Sequence, residues 1–278
     1  GNSMEIKRIC QIYFSPTGTT EKVVCVIAEA LTDDLGIESF LYDFTLPGAR
    51  GSFPRLAETD LVLFGCPTYA GRLPNLLLKY LDTIAGSGAL AVPIVTFGNR
   101  AFDNSLIELR DILEAHDFHT IAAAAFSCEH SFSTTLGAGR PDAEDLKEAE
   151  TFAHAVTGKL AALAALDTLP APIAVDGNAE AGYYQPRDRH GVFIDIRKVK
   201  PLTSVSCNQC GLCAAVCPMG AIDPKDVSKV PGICIKCGAC IKKCPQGAKY
   251  YDDAGYLYHK EELEAMYGTR RAANSFYL

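Results

Sequence analysis

Eight cysteines crowded into residues 207–244 constrain this chain more than any other feature. The run CNQCGLCAAVCPMGA, residues 207–221, returns 27 residues later as CIKCGACIKKCPQGA, residues 234–248, and both copies read C-x2-C-x2-C-x3-C-P. Clustered cysteines of this kind point to metal ligation rather than to a disulfide framework. Zinc sites usually pair C-x2-C units across a long spacer, whereas here four thiols fall within eleven residues and a proline follows. The other four cysteines, Cys10, Cys25, Cys66 and Cys128, are scattered through the first half on strand or helix patterns and read as core.

The repeated spacing resembles that of the bacterial ferredoxins, which hold two 4Fe-4S clusters. A tight loop sets three thiolates on three corners of one cubane, and the fourth cysteine, just beyond the loop, crosses to the other. The resemblance therefore implies one cluster on Cys207, Cys210, Cys213 and Cys244, and a second on Cys234, Cys237, Cys240 and Cys217. Gly211 and Gly238 would let the backbone approach the inorganic sulfides, while Pro218 and Pro245 end the ligand loops. Lys236, Lys242 and Lys243 either offset cluster charge or face solvent.

At 278 residues the chain is long enough for two domains, and its charge is divided the same way. Residues 1–170 carry −10 and residues 201–278 carry +2, within a total of −7. No basic patch is large enough for a phosphate-backbone footprint, so no nucleic acid partner is expected. The longest apolar run, LAALAAL at 160–166, is too short to span a membrane. No secretory segment follows the start, so a cytoplasmic location is expected. Gly1, Asn2 and Ser3, ahead of Met4, are set aside as an expression remnant.

Between residues 5 and 165, apolar runs alternate with helical patterns. Strands are expected near 5–13, 37–42, 60–66, 91–97 and 120–126, and helices near 19–31, 74–84, 103–116 and 142–165. Pro74 suits a first helical turn and Asp103 a helix cap. The 43–59 crossover, with Pro47, Gly48, Gly51 and Pro54, leaves room for little or no helix. Such alternation predicts a parallel sheet covered on both faces.

The loop FSPTGTT, residues 14–20, joins the first strand to the first helix, where free N–H groups and the helix dipole favour an anion. It lacks both the lysine of a P-loop and a G-x-G-x-x-G pattern. Ser15, Thr17, Thr19 and Thr20 around Gly18 instead suit a phosphate monoester. In this the chain resembles the flavodoxin family, whose phosphate loop binds FMN. The resemblance implies an α/β fold with a five-stranded, doubly wound parallel sheet, and the flavin ring lying on the loops after strands three and four. Those loops read CPTYAGRLP, residues 66–74, and TFGNRAF, residues 96–102. They offer Pro67, Thr68, Tyr69, Gly71 and Arg72, and Phe97, Gly98, Asn99, Arg100 and Phe102. With no tryptophan in the chain, flavin stacking falls to Tyr69, Phe97 or Phe102. Ser127, Cys128, Glu129 and His130 group nucleophile-type residues, but no spacing supports a nucleophile.

The expected organisation is an N-terminal flavodoxin-like domain, 4–167; a linker or arm, 168–199; a small α+β ferredoxin-like domain, 200–255; and a helical tail, 256–278. Within the arm, VFIDIRKV at 192–199 alternates and is expected to pair as a strand against the ferredoxin-like domain, and a helix is expected at 259–268. As a whole the chain resembles flavodoxin-ferredoxin fusion proteins. That resemblance implies electron transfer between two 4Fe-4S clusters and FMN, with a redox partner protein. The alternative is an FMN-dependent reductase of a small organic acceptor fed by its own clusters. A flavin covered by Tyr69 and Phe102 favours the carrier, and an open pocket with a positioned acid favours the reductase.

Overall fold

The computed structural model describes residues 5–278. Gly1–Met4, which include the three residues set aside at the start and the first residue of the expected N-terminal domain, lie outside the described residues.

The segment DLVLFGCP illustrates why the sheet is buried. Leu61 and Leu63 enter one core layer, Val62 and Phe64 the other, because successive side chains of a strand point to opposite faces. Five sheet positions form in this way: β1 (Arg8–Tyr13), β2 (Glu38–Asp43), β3 (Asp60–Pro67), β4 (Leu90–Phe97) and a last one split into β5 (His119–Thr120) and β6 (Ala123–Ser127). The split position acts as one strand, since the Ile121 N–H between its halves still donates to the Ala91 carbonyl at 3.0 Å. The strands are parallel in the order β2-β1-β3-β4-β6, with β5 on β4 ahead of β6. Taking β5 and β6 as one, this is the flavodoxin-like 2-1-3-4-5 order of a doubly wound sheet.

Helices cover both faces. α1 (Thr19–Leu35) and α4 (Ala143–Ala164) bury Val24, Ile27, Leu31, Phe152, Val156 and Leu160 on one side. α2 (Leu78–Leu81) and α3 (Ser105–Ala115) bury Leu81, Leu106, Leu109 and Leu113 on the other. The 43–59 crossover holds only a 3-10 turn, Pro47–Gly51. The helix expected at 74–84 shrinks to a 3-10 turn, Asn75–Leu77, followed by α2. Its end is closed early because the Thr83 hydroxyl and N–H both donate to the Tyr80 carbonyl. Asp103 does not cap α3; its carboxylate pairs with Arg100, and Asn104 takes the cap position.

The C-terminal region contains α5 (Leu212–Val216), α6 (Ala239–Lys243), and β7 (Leu202–Thr203) antiparallel to β8 (Lys249–Tyr250). The last helix, α7 (Ala254–Tyr267), starts earlier than expected because the Asp253 carboxylate accepts the Tyr256 N–H at 2.9 Å. Beyond α7 the chain is no longer helical. Residues Ser275–Tyr277 form β9, antiparallel to β6 on the edge of the first sheet. Every residue of β6 is buried, and a buried sheet edge needs a partner for its backbone; β9 is that partner.

VFIDIRKV does not form a strand. Arg187 and Phe193 make one isolated bridge, Val192 and Phe193 are exposed, and Asp195 turns onto Arg197. The arm is nonetheless tied down, with Ile173 N–H donating to Thr120, Asn178 N–H to Asn104 Oδ1 and Tyr184 N–H to the Ala70 carbonyl. Among the described residues no helix is long and apolar enough to cross a membrane.

Candidate functional site

The loop between β1 and α1 turns at Gly18, whose φ of 87° is open to glycine. Ser15 is fixed from two sides: its N–H donates to Thr45 Oγ1 at 2.8 Å, and its Oγ accepts the Glu21 N–H at 3.0 Å. Among the described residues the N–H groups of Thr17, Thr19 and Thr20 have no protein acceptor. Free donors at the start of a seventeen-residue helix make an anion cradle. Thr20 braces the loop instead of facing outward, since its hydroxyl is bonded to Thr96 Oγ1 at 2.8 Å in the core.

Ser15, Pro16, Thr17, Thr19 and Thr20 share one pocket with Pro67, Thr68, Tyr69, Thr96, Phe97 and Gly98. Tyr69 is held at its rim by a two-residue turn in which Tyr69 and Arg72 exchange backbone hydrogen bonds. Ala70 and Gly71 both have positive φ there, 52° and 78°, as a type I′ turn demands. Thr68 Oγ1 is bonded to Ser105 Oγ at 2.7 Å.

The structure leaves Gly18, Gly71, Asn99, Arg100 and Phe102 out of that lining. Phe102 packs on Phe97, with ring centroids 5.8 Å apart. Arg72 pairs with Glu108 and lies over Tyr183, while Arg100 pairs with Asp103 and lies over Tyr184. Both arginines thus clamp the arm. Asn99, 2% exposed, anchors the C-terminus: its amide donates to the Tyr267 and Arg270 carbonyls and its oxygen accepts from Ala272 N–H, Ser127 and Arg140. Asn99→Ala strands several of these buried groups, each costing about 1–3 kcal/mol. A lowered unfolding midpoint is expected, together with freed protease cleavage after residue 267.

One wall was missed by sequence reasoning. Cys128, Glu129, His130 and Ser131, which follow β6, also line the pocket. The rule that ligands sit beyond the carboxyl ends of strands applies to the fifth strand as well as the third and fourth. His130 Nδ1 accepts the Phe132 N–H at 3.0 Å. Burial, then His259, Lys242 and Arg100, push its pKa down to about 3, so the ring is neutral near pH 7.

The cysteine repeats match in backbone as well as sequence. Gln209 and Lys236 have φ of 61° and 59°, Gly211 and Gly238 of 79° and 77°, and Gly220 and Gly247 of 58° and 59°. α5 ends at Cys217 with φ, ψ of −67°, 116°, and α6 at Cys244 with −67°, 117°. That extended turn directs the fourth cysteine away from its own loop. Cys217 accordingly lines one cavity with Cys234, Cys237 and Cys240. Cys207 and Cys213 share a small apolar cluster with Cys217 and Cys240, while Cys210 is exposed and Cys244 half-buried. Among the described residues no three His, Cys, Asp or Glu side chains converge on a single-ion site.

The cavity and the pocket share a wall. A Cβ on Gly238 would run into the Ser131 carbonyl, so α6 starts in direct contact with the pocket loop. Lys242, on α6, donates to Glu129 Oε2 and the His130 carbonyl at 2.6 Å each, and to the Ser133 carbonyl at 3.0 Å. The Tyr69 phenol is pushed well above its usual pKa by burial and then by the nearby Cys237, Cys66 and Cys234 thiols. A ladder of rings also links the two sites. Tyr251 Oη lies 3.3 Å from Cys234 Sγ, and Tyr251, Tyr256, Phe132 and His130 follow with centroid spacings of 4.2, 4.9 and 4.9 Å.

Gly211 and Gly238 provide a matched test of this docking. Both have left-handed φ, so an alanine at either costs about 1–2 kcal/mol of backbone strain, but a Cβ on Gly211 meets open space. Gly238→Ala is therefore expected to destabilise more than Gly211→Ala and to speed protease cleavage of the arm, which Gly211→Ala should leave unchanged.

Residues 206–249 match the 4Fe-4S dicluster domain family. No curated protein sequence matches the chain. Among solved structures it is similar to oxidised flavodoxin 2 from Bacillus cereus, at 20% identity over 55% of this chain and 99% of that one with a TM-score of 0.41. It is also similar to the flavodoxin of Streptococcus pneumonia TIGR4, at 18% identity over 55% and 99% with a TM-score of 0.39. The chain joins a domain of flavodoxin-like strand order to a 4Fe-4S dicluster domain, as a flavodoxin-ferredoxin fusion does.

Proposed function

We propose that this redox protein is an electron carrier that relays electrons between two 4Fe-4S clusters and an FMN, coupling one-electron and two-electron partners. Cys207, Cys210, Cys213 and Cys244 hold one cluster, and Cys217, Cys234, Cys237 and Cys240 the other. The FMN phosphate rests on the free N–H groups of Thr17, Thr19 and Thr20 with the Ser15 and Thr17 hydroxyls, and its ring lies among Tyr69, Phe97, Gly98 and His130. FMN supplies a centre that exchanges one or two electrons, and each cluster a centre that exchanges one.

The observation that carries this reading is the shared wall, where Gly238 abuts Ser131 and Lys242 is bonded into the 129–133 loop. It makes the Cys217, Cys234, Cys237 and Cys240 set proximal to the pocket. Exposed Cys210 then marks the distal end, where a redox partner protein docks. Covalent joining and fixed docking hold one redox centre at high effective concentration beside the other.

The carrier is favoured over the reductase by the pocket's own groups. His130 is neutral near pH 7, and Glu129 is engaged by Lys242 Nζ at 2.6 Å, so neither stands free as a positioned acid for a bound acceptor. The reading takes domain limits of 4–167, 168–199 and 200–255, with residues 275–277 returning to the first sheet.

An anaerobic reductive titration of the purified protein, followed by absorbance and EPR, tests the proposal. Flavin bleaching together with signals from two interacting reduced clusters is the expected result. Iron-sulfur signals without a flavin band, in a protein that does not bind added FMN, would overturn the relay.

A further inference from the structure

The two cysteine sites are built on matching backbones, so any side chain that differs between them tells how the sites differ. Lys236, between Cys234 and Cys237, is 6% exposed. Its ammonium donates to the Arg197 carbonyl at 2.7 Å and the Cys234 carbonyl at 2.9 Å, and among the described residues it forms no salt bridge. The nearby carboxylate, Asp195, is engaged by Arg197. Burying an ammonium without a counter-charge is costly. The anion beside it is the Cys234 thiolate and whatever that thiolate binds.

The position 27 residues earlier is Gln209, exposed and neutral, with the same backbone turn. A second difference lies at Tyr251, 8% exposed, whose hydroxyl is placed to donate to Cys234 Sγ at 3.3 Å. The residue 27 positions earlier is Pro224, which has no hydroxyl. Lys249, also buried, donates to Thr203 Oγ1 and the Val227 carbonyl. Its charge acts at both sites, on Cys213 and on Cys240.

We propose that Lys236 and Tyr251 raise the reduction potential of the cluster held by Cys217, Cys234, Cys237 and Cys240 above that of its partner, so that a single electron on the chain rests next to the flavin pocket. The inference rests on the ligand sets given above. Its physical basis is that reduction adds one negative charge to a cluster, which a fixed positive charge and a hydrogen bond to sulfur both stabilise. Burial of Cys237 and Cys240 opposes this by disfavouring charge, but the same low dielectric strengthens the attraction of the buried ammonium. In the step itself the distal cluster is oxidised by one electron and the proximal cluster reduced by one, with no proton required.

The test is an EPR-monitored redox titration of the full-length protein carrying its clusters, comparing wild type with Lys236→Gln, Tyr251→Phe and Gln209→Lys. Wild type should show two separate one-electron waves. Lys236→Gln, which installs the residue of the other repeat, should lower only the higher wave, changing electron sharing between the clusters by about tenfold, or ~59 mV for a one-electron couple. Tyr251→Phe should move the same wave in the same direction by less, and Gln209→Lys should raise the lower wave. Iron content and flavin absorbance report whether each variant is intact. Two waves that Lys236→Gln and Gln209→Lys leave in place, or move together, would overturn this proposal alone. A wild type with fewer than two clusters would overturn the ligand sets and the proposal with them.

Discussion

Cys217→Ala is expected to lose one of the two clusters and, with it, fast electron exchange with the flavin, whereas Cys244→Ala loses one cluster but keeps that exchange. The asymmetry follows from the crossed arrangement. Cys217 belongs by sequence to the first repeat, yet it lines the cavity of Cys234, Cys237 and Cys240, which borders the pocket. Removing it should therefore damage the proximal site. Cys244 belongs to the second repeat, and its loss should damage the distal site around Cys207, Cys210 and Cys213. If each repeat instead held its own cluster, the two phenotypes would be exchanged. Both variants should contain half the iron and acid-labile sulfide of the parent, so composition alone does not separate the models. Flash photoreduction of the flavin does, since it reads the rate at which an electron reaches a cluster across the shared wall. A fast phase that survives in Cys217→Ala and vanishes in Cys244→Ala would refute the crossed ligation.

The repeated cysteine motif was legible in the sequence because it is a local pattern that occurs twice, and a local pattern survives without knowledge of the fold. The parallel sheet was legible for a related reason: its buried strands are continuous apolar runs, and its helices show apolar residues at spacings of three and four. The anion cradle at residues 15–20 follows from one strand-to-helix junction. The contacts that join the modules were not legible. Lys242 read as either a charge offset or a solvent-facing residue, and only the fold brings it to Glu129, 113 residues away in sequence. Asn99 read as a pocket residue because it follows the fourth strand, yet its left-handed backbone, φ 62°, turns the side chain toward a C-terminal segment with no periodicity of its own. β9 is three residues long, too short to carry an alternation signal. Its existence follows from the unpaired edge of β6, which is a property of the assembled sheet.

The second large effect is expected at Asp145, in the first turn of α4. Its carboxylate is fully buried and accepts from Arg140 through two hydrogen bonds, 3.0 and 2.8 Å, from the Asp142 N–H at 3.0 Å, and from Asn274 at 2.9 Å. Burial pulls its pKa upward, but Arg140, Asn274 and the Asp142 N–H outweigh it and hold the carboxyl below its usual value. A depressed folded-state pKa contributes stability that is fully present above the ordinary carboxylate pKa and is lost as pH falls from there to the lowered value, so the full cost of removal appears near pH 7. Asp145→Ala leaves the Arg140 guanidinium, 5% exposed, buried without its counter-ion, a loss of about 3–5 kcal/mol against a typical domain stability of roughly 5–15 kcal/mol. Asp142→Ala, which removes only the α4 cap and an exposed pair with Arg271, should cost about 1 kcal/mol. Replacing Arg140 and Asp145 together by Met and Leu should recover much of the single-variant loss, because no charge is then stranded. The consequence reaches the site through the chain itself. Arg140 and Asp145 fix the end of the 128–141 loop, and its other end forms the pocket wall and receives Lys242. Chemical denaturation and flavin retention measured on the three variants should therefore fall in the same order. Full flavin retention in a strongly destabilised Asp145→Ala would show that the loop holds its shape without this pair.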